Sequence, residues 1–74
     1  GLMKKDWLRT EFKLIRTEAG ISAKTLAART GTGHGNTIYS FENGKNSPAL
    51  KTFEKWLHEL GYELEILKIS EPKA

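Results

Sequence analysis

The sequence predicts a mainly α-helical protein of four helices followed by one short β-strand. Apolar residues recur at helical spacing in successive segments, and a glycine or an N-capping residue separates each segment from the next. The 74 residues, 38% of them hydrophobic, suffice for one core and not for two. We therefore expect residues 1–74 to form a single domain, with a helical body over 4–61 and a C-terminal strand over 62–69.

The first two helices are each predicted from a cap and an apolar stripe. Asp6 can cap a first helix that Gly20 ends, with the inward positions Leu8, Phe12, Ile15 and Ala19. Ser22 can cap a second helix of two turns that Gly31 ends, with the inward positions Leu26 and Ala27. Each helix is therefore expected to pack one face on the core.

The third and fourth helices follow a glycine-containing stretch, 31–35, in which we expect no regular helix. Ile38 and Phe41 give the third helix one inward edge, and Asn43-Gly44 closes it. Ser47 before Pro48 predicts the start of the fourth helix, which Gly61 ends and whose apolar stripe is Leu50, Phe53, Leu57 and Leu60. Core packing is favoured over an interface for the two tryptophans, Trp7 and Trp56.

The tail over 62–69 alternates apolar and acidic residues, as a half-buried strand does. The alternative is a helix through Leu60, Leu64 and Leu67, but Gly61 interrupts that phase and favours the strand. A lone strand has unpaired backbone groups, so we expect it to pair with the strand of a second copy. The predicted dimerisation residues are Tyr62, Leu64 and Ile66.

Composition argues against catalytic and metal chemistry. The chain has no Cys and only two His, His34 and His58, so we expect no metal site. Gly31, Gly33 and Gly35 are spaced G-x-G-x-G without the Lys-Ser/Thr of a phosphate loop, and no nucleophile motif is present. We expect no enzyme activity and no cofactor. Without a membrane-spanning stretch or a leader, a cytoplasmic protein is expected.

Charge is distributed unevenly along the chain. Residues 1–51 carry a net charge of +5, whereas residues 52–74 carry −2. A basic segment suits a polyanion such as nucleic acid, although the overall charge of +3 is also ordinary for a small domain. The second helix, the linker and the third helix have the plan of a helix-turn-helix unit, which places its second helix in the DNA major groove.

When Ile38 and Phe41 are buried, the third helix would expose small or polar residues with hydrogen-bonding groups, namely Asn36, Thr37, Tyr39 and Ser40. Such side chains can hydrogen-bond to base edges in the major groove. The alternative is a polar surface helix without a ligand.

The chain resembles the Cro and phage-repressor (XRE-type) helix-turn-helix family, which has the lambda-repressor-like fold, over residues 15–61. The matching segments are Ile15-Arg16, Gly20-Ile21-Ser22, Leu26-Ala27, Gly31-Thr32, residues 38–45, and Pro48 to Gly61. The resemblance implies that the start of the third helix reads bases and that residues around Ser22, Asn43 and Lys45 hold phosphates. The DNA-contacting residues expected on this basis are Ser22, Lys24, His34, Gly35, Asn36, Thr37, Tyr39, Ser40, Asn43 and Lys45.

The same resemblance implies a structural ion pair between Arg16 and Glu42 that joins the first helix to the third. Two features depart from the family pattern: Ala23 stands where Gln is common, and the linker before Ile38 is about one residue longer. We interpret Gly33 and Gly35 as turn residues with positive φ rather than as sites of close approach to the DNA backbone.

The predicted function is a sequence-specific, double-stranded DNA-binding transcription regulator, a repressor that binds a palindromic operator as a homodimer. The alternative is the antitoxin of a toxin-antitoxin pair, because the tail resembles that of a family subset with antitoxin members. Since no long segment follows the strand, a toxin would have to dock on the folded surface.

Overall fold

The computed structural model describes residues 7–66, and four helices account for most of them. They are α1 (Trp7–Glu18), α2 (Ala23–Thr30), α3 (Gly35–Glu42) and α4 (Leu50–Glu59). Their number and order confirm the predicted mainly α-helical class. Within residues 7–66, every helix is too short or too polar to cross a membrane.

An aromatic cluster forms the centre of the core. The rings of Phe12, Phe41, Phe53 and Trp56 lie with centroids 5.3 to 6.3 Å apart. They come from α1, α3 and α4, and α2 adds three buried residues, Ala23, Leu26 and Ala27. Because all four helices contribute, packing of this core also orients α3 relative to the rest of the chain.

The α2 helix is capped at both ends as predicted. The hydroxyl of Ser22 accepts a hydrogen bond from the backbone N–H of Thr25 at 3.1 Å. Gly31 ends the helix in the left-handed conformation, with φ of 66°. The sequence signals at α2 are therefore confirmed.

The fourth helix begins later than predicted. It begins at Leu50, and Ala49 occupies the N-cap position without a side-chain hydrogen bond. Ser47 is therefore not the cap; its hydroxyl instead accepts a hydrogen bond from Nη2 of Arg9 at 3.3 Å. Leu50, predicted to face inward, is 66% exposed because the aromatic cluster begins one turn further along the helix, at Phe53.

The first turn of α1 also lies outside the core. Trp7 and Leu8 are 51% and 43% exposed, so the predicted burial of both is wrong, whereas Trp56 is fully buried as predicted. Ala19 is exposed as well. The apolar spacing in this segment extends in both directions beyond Phe12, which is the α1 residue whose ring packs on the aromatic cluster. Asp6, the predicted cap, lies outside the described residues.

The tail leaves α4 at Gly61, and the backbone N–H of Tyr62 donates to the carbonyl of Leu57 at 2.8 Å. Residues 62–66 form no regular secondary structure within the single chain. Residues 67–69, the end of the predicted strand, lie outside the described residues. Strand pairing with a second copy therefore stays a prediction.

Candidate nucleic-acid interface

The linker from α2 to α3 is held by a chain of hydroxyl groups. The indole N–H of Trp56 donates to Oγ1 of Thr32 at 2.9 Å, and that oxygen lies 3.0 Å from Oγ1 of Thr30. Thr30 in turn donates to the carbonyl of Leu26 at 2.8 Å. A buried side chain of α4 thus fixes Thr32, the second residue of the linker. Gly33 follows with φ of 110°, the turn conformation predicted for it.

Gly35 has a different role from the one predicted. It is the first residue of α3, so the expectation of no regular helix over 31–35 fails at its last position. Its φ is not positive; instead, a Cβ at this position would lie 2.9 Å from the backbone nitrogen of Lys24. Such a contact is too short for any side chain. Glycine is therefore required because the start of α3 packs directly on the backbone of α2.

The α3 helix has the two sides that the sequence predicted. Ile38 and Phe41 are 0% and 5% exposed and face the core. Asn36 and Tyr39 are exposed, and Thr37 and Ser40, also predicted to be exposed, are partly buried. With eight residues, α3 is about 12 Å long. Its outer side is therefore a short polar surface of the kind that can enter a major groove.

The ion pair between Arg16 and Glu42 joins α1 to the end of α3. Nε and Nη2 of the guanidinium lie 2.7 and 2.9 Å from the two carboxylate oxygens, and the side chains are 7% and 2% exposed. Nη1 of Arg16 also donates to the carbonyl of Ile21 at 2.9 Å. The hydrogen bonds that Arg16 donates to the Glu42 carboxylate raise the pKa of Arg16, whereas burial lowers it. The pair therefore holds α3 against the α1–α2 turn.

This ion pair also determines the charge on α3. Glu42 is the single acidic residue of the helix, and Arg16 neutralises it. The same guanidinium lies 5.8 Å from the centre of the Tyr39 ring, on the outer side of the helix. The exposed surface of α3 consequently carries no free carboxylate that would repel a polyanion.

The segment after α3 turns tightly at its end. The backbone N–H groups of Asn43, Gly44 and Lys45 donate to carbonyls of Tyr39, Phe41 and Ser40 at 2.9, 3.1 and 2.8 Å. Gly44 has φ of 79°, which glycine adopts without strain. The turn leaves the side chains of Asn43 and Lys45 exposed beside the C-terminal end of α3.

The predicted contact residues thus form two groups at opposite ends of α3. One group lies where the starts of α2 and α3 meet and contains Ser22, Lys24, His34, Gly35, Asn36 and Thr37. His34 is exposed at the N-cap position of α3, without a side-chain cap bond. Two helix N-termini at one place favour an anion such as phosphate. The other group, Asn43 and Lys45, follows the last turn, and Tyr39 and Ser40 lie between the groups.

Sequence reasoning missed Arg9. Its Nη1 donates to the carbonyls of Phe41 and of Asn46, the latter at 2.9 Å, and its guanidinium carbon lies 4.9 Å from the centre of the Phe41 ring. These acceptors and the hydroxyl of Ser47 lie 32 to 38 residues further along the chain. No local pattern signals a contact at that separation.

A comparison with protein families gave one match. A family model described as Helix-turn-helix matches residues 12–67, which contain most of α1 and all of α2, α3 and α4. Comparisons with curated proteins and with solved structures gave no match. Among residues 7–66, no three His, Cys, Asp or Glu side chains are grouped so that they could hold a metal ion.

Proposed function

The chain belongs to the XRE-type helix-turn-helix family, a family of DNA-binding transcription regulators, and we propose that it is a homodimeric repressor of a two-fold symmetric operator. The observation that carries the proposal is the polar outer side of α3, free of unpaired carboxylates and flanked by the exposed Lys24 and Lys45. A helix of this kind fits the major groove of DNA.

In this proposal, affinity and specificity come from different residues. Ser22 and Lys24 at the start of α2, and Asn43 and Lys45 after α3, bind phosphate groups and set the position of the protein on the duplex. Asn36, Thr37, Tyr39 and Ser40 face the base edges, and His34 and Gly35 lie at the N-terminus of α3, which faces a phosphate group. Repression follows from occupancy of the operator, so no cofactor and no covalent step is needed.

The dimer is proposed from the tail. Tyr62, Leu64 and Ile66 are 51%, 42% and 99% exposed, and this apolar surface needs a partner. We propose that two tails pair as antiparallel strands, which would space two copies of α3 by about 34 Å, one turn of DNA. A protein of this kind would act in the cytoplasm.

A second candidate function is that of an antitoxin which also binds its own promoter. The exposed tail favours it, because the same three apolar side chains could cover a toxin instead of a second copy. Coexpression with the protein of the adjacent reading frame, followed by sedimentation of the purified material, separates the two. A stable heteromeric complex supports the antitoxin, and a homodimer alone supports the simple repressor.

The DNA-binding proposal is tested by gel shift with the protein's own upstream DNA over a range of salt. Three or four phosphate contacts per half-site predict a slope of log affinity against log salt on the order of −5 to −7 for the dimer. A random duplex of equal length is the control and should bind more weakly at every salt concentration. A flat salt profile on both duplexes would contradict the proposal.

A further inference from the structure

The loop from α3 to α4, residues 43–49, is held in two different ways. Its first three residues are tied to the last turn of α3 by their own backbone N–H groups. Asn46 and Ser47 receive their hydrogen bonds from Arg9, on the first turn of α1. One side chain of another helix therefore connects the second half of the loop to the body.

The geometry requires a guanidinium. Arg9 reaches the carbonyl of Phe41, the carbonyl of Asn46 and the hydroxyl of Ser47 at once. The bonds come from two nitrogens, Nη1 and Nη2, of one planar group, whereas a lysine has its three donors on a single nitrogen and cannot place donors at both positions. Phe41 links Arg9 to the loop in two ways. Its carbonyl also accepts a hydrogen bond from the backbone N–H of Gly44, and its ring lies under the guanidinium. Arg9 thus joins the end of α3 to the loop.

The charge of Arg9 is stabilised without a carboxylate in the described part of the chain. The ion pairs among residues 7–66 are Arg16 with Glu42 and Arg29 with Glu59. Arg9 instead lies against the carbonyl oxygen of Phe41 at the C-terminal end of α3, where the helix dipole favours a cation. Within residues 7–66, the positive charge therefore stabilises the loop without an ion pair to an acid.

We propose that Arg9 is a positioning residue for DNA binding: it holds the loop that presents Asn43 and Lys45 to phosphate. This inference rests on the proposed function of those two residues. Arg9 acts through the loop and does not itself bind DNA. Its removal should weaken binding to every sequence alike, because phosphate contacts carry no sequence information.

The test is a set of variants whose affinity for a random duplex is measured at several salt concentrations, at a temperature where melting curves show each variant folded. Lys45→Ala should lower the salt slope by about 2 for the dimer and cost about ten-fold in affinity near 0.2 M salt. Arg9→Ala should reproduce most of this loss. In the Lys45→Ala background, Arg9→Ala should change the slope no further.

Two variants separate geometry from charge. Arg9→Lys keeps the charge but not the three bonds, so it should lose nearly as much affinity as Arg9→Ala. Arg29→Ala removes the same charge from a half-exposed pair and should leave the slope unchanged. Additive slope losses in the double variant would overturn the inference, because Arg9 would then touch phosphate. Full affinity of Arg9→Lys would overturn it too.

Amide hydrogen exchange of the free protein tests the same contact without DNA. Arg9→Ala should speed exchange at Gly44 and Lys45 more than at the core amides of α4, and Arg29→Ala should not. Arg9→Gln gives a milder test if the alanine variant does not fold. If Arg9→Ala speeds loop exchange but the wild-type protein does not bind DNA, the proposed function is contradicted and the contact of Arg9 with the loop is not. If the wild-type protein binds DNA and Arg9→Ala changes neither the loop exchange nor the salt slope, the role of Arg9 is contradicted.

Discussion

The helical body and the tail place their apolar side chains in opposite environments. In the body, Phe12 and Trp56 are 1% and 0% exposed and are covered by helices of the same chain. In the tail, Tyr62 and Ile66 are 51% and 99% exposed, with no regular structure around them in the single chain. The body therefore covers its apolar side chains within one copy, whereas the tail leaves them exposed, and the proposed dimer would cover them with a second copy.

The polar residues of the body also differ in their exposure: some are buried and paired, and others face solvent. Arg16 and Glu42 satisfy each other inside the fold at 2.7 Å. Asn36 and Lys45 are exposed at the two ends of α3. Buried pairs should therefore affect stability, and exposed groups should affect what the protein binds. Each of the following variants tests one side of this division.

Removal of the tail after Gly61 should have the largest effect. The helical body should keep its circular dichroism and its melting behaviour, because the core residues all precede the cut. Sedimentation should show a monomer in place of the proposed dimer, and operator affinity should fall towards the nonspecific level, a loss of about 4 kcal/mol or more.

Point variants in the full chain refine that test. Ile66→Asp should weaken the dimer, whereas Glu65→Gln, on the alternate face of the predicted strand, should not. A truncated protein that stays dimeric with full operator affinity would place the interface on the helices.

Arg16→Ala should have the next largest effect, and the effect should be on folding. It leaves the Glu42 carboxylate, 2% exposed, without its partner, at a cost of about 3 kcal/mol of unfolding free energy. Thermal melts of Arg16→Ala, Glu42→Ala and the double variant measure the coupling, and the double variant should lose less than the sum. Arg29→Ala, which breaks the exposed pair with Glu59, should cost under about 1 kcal/mol. Additive losses at Arg16 and Glu42 would show that the pair does not stabilise the fold.

Asn36→Ala should have the smallest effect, confined to DNA specificity. It should cost about 1 to 3 kcal/mol on the operator and almost nothing on random DNA, because the proposed base contact would be lost. Lys45→Ala should instead weaken binding to both duplexes by a similar factor, since the proposed phosphate contact would be lost. Gel shifts on the two duplexes measure both ratios, and melting curves should match the wild type. Equal loss of the two affinities in both variants would contradict the division between base and phosphate contacts.

Sequence prediction succeeded where the relevant interaction is local or has a strong pattern. The Ser22 cap depends on the hydroxyl and an amide three residues later. The buried edge of α3 depends on the three-residue spacing of Ile38 and Phe41. The long-range pair of Arg16 and Glu42 was available only through the family resemblance, because no local rule connects residues 26 positions apart.

Other features depend on how the helices pack, and here local prediction failed. Leu8 and Leu50 continue the apolar spacing of their helices, yet both are exposed because the aromatic cluster does not extend to the first turns of α1 and α4. Spacing shows which face of a helix is apolar. It does not show how far along the helix a neighbour covers that face.

Helix order, the α2 caps and the two-sided character of α3 follow from the amino-acid sequence, because each rests on backbone propensity and short-range periodicity. Two features were decided only by the tertiary structure. They are the requirement for glycine at position 35 and the hydrogen bonds from Arg9 to the loop after α3. The first comes from the approach of α3 to the backbone of α2, and the second joins α1 to residues more than thirty positions away. Both depend on distances between helices, which appear only once the core has packed.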